Sequence, residues 1–206
     1  MLTNLFNLTK INKLSSPTPQ PQVAGTPELK FNVSQPNVIY DLAVSIRTII
    51  HTAKNTGHEI VILCIGSDRS TGDALGPLTG TKLKVLNLFP HIYGTLDDPV
   101  HATNLENKLF SINNCFDQPY VIAVDACLGR LENVGCVTVG HGSVKPGAAL
   151  QKNLPPVGNA YITGIVNVGG FMEHMVLQST RLNLVMKMAD TIAHGISFGL
   201  GRNHHA

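Results

Sequence analysis

The chain has 206 residues, of which 43% are hydrophobic and only 14% charged, and it carries a formal net charge of +2. That length supports one packed core, and the low charged fraction, against roughly 25% in an average protein, comes with enough apolar residues to exclude disorder. So small a positive charge, without a basic stripe, excludes a nucleic-acid partner.

Residues Met1 to Phe31 read as a flexible arm, because the stretch SSPTPQPQVAG from Ser15 to Gly25 cannot bury enough apolar surface to offset its ordering entropy. The first residues interrupt their apolar positions with Asn, Thr and Lys, so they lack the apolar core of a signal peptide. No run is long enough to span a membrane, and a cytoplasmic location without a membrane partner is expected. One domain is expected over 32–206. It opens with Pro36 in the first turn of a helix whose Val38, Ile39, Leu42, Ile46, Ile49 and Ile50 share a face and which ends by Gly57.

The short apolar run Glu59 to Ile65 suits a strand buried on both faces. A loop, Gly66 to Gly72, leads into a helix from Asp73 towards Leu88. His91 to Leu96 is a second strand, Thr103 to Ile112 a helix, and Tyr120 to Asp125 a third strand closed by a carboxylate. Cys136 to Gly140 and Tyr161 to Val168 follow as strands, then helices over Gly170 to Gln178 and Leu182 to His194. The alternation predicts an α/β fold, a three-layer sandwich with a mainly parallel sheet.

Ligands collect beyond the carboxyl ends of such strands, and two carboxylates fall there, Asp73 after the first loop and Asp125 at the end of its strand. Each has an ordinary reading alone, Asp73 as a helix cap and Asp125 as a turn former. Side by side they are a catalytic pair, since two close carboxyls cannot both ionise easily and can share a proton. Asp68, Arg69 and Ser70 of the same loop are substrate-binding candidates, although Asp68 and Arg69 can equally pair on the surface. His101 is the histidine best placed for the cleft. Gly66, Gly72 and Gly76 fit neither a dinucleotide fingerprint nor a P-loop, so no nucleotide is supported, and no histidine has metal-site spacing. The four cysteines, Cys64, Cys115, Cys127 and Cys136, lack zinc spacing and are too few for a disulfide framework, so they read as reduced thiols.

Three segments in order, Ile65-Gly-Ser-Asp-Arg-Ser-Thr-Gly-Asp-Ala-Leu-Gly-Pro77, Gly94-Thr-Leu-Asp-Asp-Pro-Val-His-Ala-Thr-Asn104 and Ile162-Thr-Gly-Ile-Val-Asn167, make the chain resemble the YyaC-type sporulation proteins from Ile60 to Leu184. That family is similar to the germination proteases of spore formers and, more distantly, to the hydrogenase-maturation endopeptidases. The resemblance implies a phosphorylase/hydrolase-like fold and a peptidase in a sporulating bacterial cell. It implies a protein or peptide substrate, with small acid-soluble spore proteins as a candidate, and Asp73 and Asp125 as catalytic residues. In the hydrogenase-maturation enzymes a carboxylate, an aspartate and a histidine bind nickel. Here Asn167 stands nearest the histidine position, so neither metal nor other cofactor is expected, and Asn167 reads as a donor to the substrate carbonyl or as a turn former. A homo-oligomer is left open. The alternatives are a non-catalytic sporulation binding protein and a nucleoside phosphorylase-like enzyme holding phosphate through Arg69 and Ser70.

Overall fold

In the computed structural model, which describes residues 28–86, 91–146 and 154–201, the chain runs β1 (Leu29–Asn32), α1 (Val38–Asn55), β2 (Ile60–Cys64), α2 (Leu75–Val85), β3 (Ile92–Tyr93), α3 (Leu105–Cys115) and β4 (Tyr120–Gly129). A 3-10 turn (Leu131–Asn133), β5 (Cys136–His141), β6 (Ala160–Val168), α4 (Glu173–Gln178) and α5 (Leu182–Leu200) complete it. One sheet takes the strands in the order β1-β5-β6-β4-β2-β3. Strands β3, β2, β4 and β6 run parallel, β5 is antiparallel to β6, and β1 is antiparallel to β5.

Every residue of β2 is buried, so its alternate side chains must serve two helix layers. Ile60, Ile62 and Cys64 pack with Leu42 and Ile46 of α1, Leu75 and Leu83 of α2, and Met188 and Ile192 of α5. Val61 and Leu63 turn the other way, to Leu105 and Ile112 of α3. Ile62 and Leu63 are fully buried, each contributing about 1.5–3 kcal/mol. The result is the three-layer, mainly parallel α/β sandwich that the alternation predicts. No helix among the described residues is long and apolar enough to cross a membrane.

Several boundaries differ from expectation. Leu29 to Phe31, assigned to the arm, pair with Val139 to Val137 as an edge strand of the sheet, and Phe31 packs on the core. The arm up to residue 27 lies outside the described residues, as do Leu88 and the tail residues His204 and His205. The second strand is only two residues long, because Gly94 takes a positive φ and Thr95 to Asp98 close a turn, with Thr95 N–H donating to Asp98 O. Helix α3 starts two residues late because Asn104 is occupied with the preceding turn, its Nδ2 donating to Pro99 O and its Oδ1 accepting from His101 N–H. The strand holding Asp125 does not end there; it continues to Gly129 because β6 pairs alongside it all the way.

Candidate active site

Strand β2 pairs with β4 only as far as Cys64 beside Val124. Asp125 is therefore the first residue of β4 to outrun its neighbour, with β6 still beside it through Thr163. The departing chain of β2 makes the loop that returns as Asp73. Gly66 holds that loop shut. Its φ is +144°, and a Cβ built on it would lie 2.0 Å from the carbonyl oxygen of Asp73, so the two ends of the loop touch backbone to backbone. Gly66→Ala is expected to cost at least about 2 kcal/mol, since a side chain fits neither the backbone angle nor the gap. Urea melts check this, and a loss below about 0.5 kcal/mol, the range of a neutral surface change, would show that the loop relaxes.

Ala74, and not Asp73, occupies the N-cap position of α2. Asp73 is half-buried one step earlier, and Asp125 is only 7% exposed. Ala126 N–H donates to Asp125 Oδ1 at 2.9 Å. Burial holds the Asp125 carboxyl well above the ordinary carboxylate range, the negative charge of Asp73 pushes it higher, and the Ala126 N–H opposes both. The two carboxylates predicted to lie side by side thus feel one another.

Around Asp125 the sheet supplies neighbours that sequence reasoning missed. Lys30, Thr138, Thr163 and Asp125 occupy one row across β1, β5, β6 and β4. The Thr138 and Thr163 hydroxyls are hydrogen-bonded to each other. Cys127 shares the face of Asp125 and bonds Thr163; its thiol is pushed up to about 11, chiefly by burial. It therefore stays protonated at neutral pH and is no nucleophile. Alternation along β4 and β6 marks these residues, but only the strand register brings them together.

The other candidates separate. Asp68 and Arg69 are exposed, and no ion pair joins them among the described residues. Ser70 takes the Ala74 N–H on its carbonyl at 3.0 Å, and its buried Oγ has no hydrogen-bond partner, which leaves unspent bonding capacity in the loop that carries Asp73. His101 borders that loop, because Val100 O accepts the Gly66 N–H at 2.8 Å; the His101 Nδ1 is engaged by the Thr103 hydroxyl. Asn167 is not a free donor. Its Nδ2 donates to Val176 O and Thr180 Oγ1, both at 3.2 Å, and its Oδ1 accepts the Val168 N–H. This set does not fit nickel. Among the described residues no three His, Cys, Asp or Glu side chains are grouped to hold a metal ion, and the amide at the histidine position is spent on the protein itself.

Residues 30–195 match the model of a family described as "Protein of unknown function (DUF1256)". The chain belongs to the DUF1256 family. The family match begins at Lys30, inside β1, and spans every candidate from Asp68 to Asn167. "Uncharacterized protein YyaC" of Bacillus subtilis (strain 168) is 56% identical over 158 residues, covering 75% of this chain and 77% of that one. Among solved structures, the [NiFe] hydrogenase maturation protease HycI from Thermococcus kodakarensis KOD1 is similar over 69% of this chain and 92% of its own, at 21% identity and a TM-score of 0.49.

Proposed function

We propose that this DUF1256 protein is a peptidase that activates water with the pair Asp73 and Asp125. The observation that carries the reading is the electrostatic coupling of a half-buried carboxylate to a buried carboxyl beyond the end of β2. Asp73, the member nearer solvent, takes the proton of water as its oxygen bonds to the scissile carbonyl carbon. Asp125, whose carboxyl burial and the charge of Asp73 hold well above the ordinary carboxylate range, is the acid of the pair and gives its proton to the amine nitrogen as the C–N bond breaks. Proton exchange with solvent then restores the pair. No step runs through a metal.

The motifs shared with spore proteases nominate small acid-soluble spore proteins as substrate and a sporulating cell as the setting. Incubating these proteins with the purified chain, followed by mass spectrometry of the new termini, tests the reading. Cleavage that disappears with Asp73→Asn supports it; intact substrates from acid to neutral pH favour a binding protein instead. Hydrolysis is also expected to survive excess EDTA, because the donor set suits no transition metal. Activity lost to EDTA and restored by one equivalent of metal would overturn that expectation.

A further inference from the structure

Helix α4 has six residues, too few to be stable alone. It starts from Met172 at φ 53°, ψ 44°, a left-handed conformation that costs a side-chain-bearing residue free energy and persists only when its surroundings hold it. The holding contacts lie at its far end. Asn167, near the end of β6, donates to Val176 O and to Thr180 Oγ1, and the buried Thr180 hydroxyl itself donates to Val176 O at 2.9 Å. These bonds satisfy a carbonyl that a helix C-terminus leaves without an intrahelical partner. The next carbonyl, Leu177 O, accepts the Gly72 N–H at 2.9 Å. A Cβ on Gly72 would lie 2.8 Å from Leu177 Cδ2 and 3.0 Å from Thr180 Oγ1, so the loop sits closely against this turn. Gly72 is the residue before Asp73.

We propose that Asn167 and Thr180 are positioning residues: by fixing the last turn of α4 they set the Leu177 carbonyl that grips Gly72, and so hold Asp73 against Asp125. The role assigned to α4 rests on the aspartate pair being the working site. Neither Asn167 nor Thr180 touches the reacting atoms. They act through the backbone of the loop, over a path that joins β6 to α2 across the open end of the sheet.

The test reads the carboxyl itself, so it does not depend on a substrate. Asp125 shares its surroundings with Asp73 from the α2 loop and Cys127 on its own strand, with Glu28 and Lys30 also felt at Cys127; of these, Asp73 is the one that α4 holds. Carboxyl carbon NMR titration of the full chain, assigned by the signal lost in Asp125→Asn, gives the Asp125 midpoint. Asn167→Ala and Thr180→Val are expected to lower it by roughly half a pH unit or more, because Asp73 recedes and water enters. Thr180→Ser keeps the hydroxyl and should restore the native midpoint. Ile49→Val, a core change in α1 of modest cost, should leave it unmoved. Should Asn167→Ala fail to fold, the Thr180→Val and Thr180→Ser pair still decides. Unchanged midpoints in Asn167→Ala and Thr180→Val, or an equal fall in Ile49→Val, would overturn the proposal. If the chain cleaves nothing yet the midpoints move, the peptidase reading fails and the positioning role stands. If it does cleave, Asn167→Ala should lower kcat with little change in KM.

Discussion

Asp73→Asn and Asp125→Asn are each expected to remove hydrolysis, by at least the 10²–10⁴-fold that general acid–base catalysis supplies, while leaving the fold intact. Asn cannot exchange the proton that water activation needs. At position 73 the change is gentle on structure, because Asn keeps the size of Asp and an oxygen that accepts hydrogen bonds. At position 125 the amide oxygen can still accept the Ala126 N–H. The double variant should lose little more than either single one, because residues that act as a unit show strongly non-additive losses. Initial rates on whichever substrate the native chain is found to cleave, with circular dichroism to confirm folding, give the answer. Near-normal turnover in either single variant would rule out the shared-proton mechanism, and multiplied losses would mean that the two aspartates work separately.

Asp125→Asn should also make the protein more stable at neutral pH. The native carboxyl is raised above its unfolded value, chiefly by burial and then by the charge of Asp73. A raised acid favours folding fully below its unfolded pKa, and that favour is lost as pH rises through the folded pKa. Each tenfold weakening of the acid corresponds to about 1.4 kcal/mol between the two protonation states. The native chain is therefore expected to lose stability from mildly acid pH upward until Asp125 ionises, and Asp125→Asn to flatten that slope. In a domain of this length each kcal/mol gained should appear as roughly 2–4 °C in Tm. Thermal melts of both proteins across pH 4 to about 8 make the comparison. Parallel curves would show that Asp125 ionises as freely in the folded chain as in the unfolded one.

What the sequence made legible was whatever rests on local pattern. The face of Val38, Leu42, Ile46 and Ile49 announces α1, and the unbroken run Ile60 to Cys64 announces a strand covered on both sides. The nearness of Asp73 to Asp125 was legible too, because two carboxylates beyond the ends of adjacent parallel strands need no side-chain detail to be brought together. What depends on partners far along the chain was hidden. Leu29-Lys-Phe-Asn32 is too short to declare itself beside a Pro-rich tract and becomes a strand only through β5. Asp125 looked terminal because the residues after it, Ala126 to Gly129, belong to the strand only while β6 accompanies them. Asn167 was placed by motif, yet its role is set by Val176 and Thr180, whose approach no spacing foretells.

The edge strand β1 also bears on how the chain is made. It precedes β2, β3 and β4 in synthesis, yet its only partner among the described strands is β5, which follows all three. The first of the described strands to be synthesised is thus among the last to find its place. Pairing between such distant segments is slow, because loop entropy is spent before any contact returns it. Until β1 arrives, β5 presents a row of unpaired N–H and C=O groups that can template pairing with another chain. Four residues at the start of the described fold therefore act as its closing seam, moving the open edge of the sheet from β5 to β1.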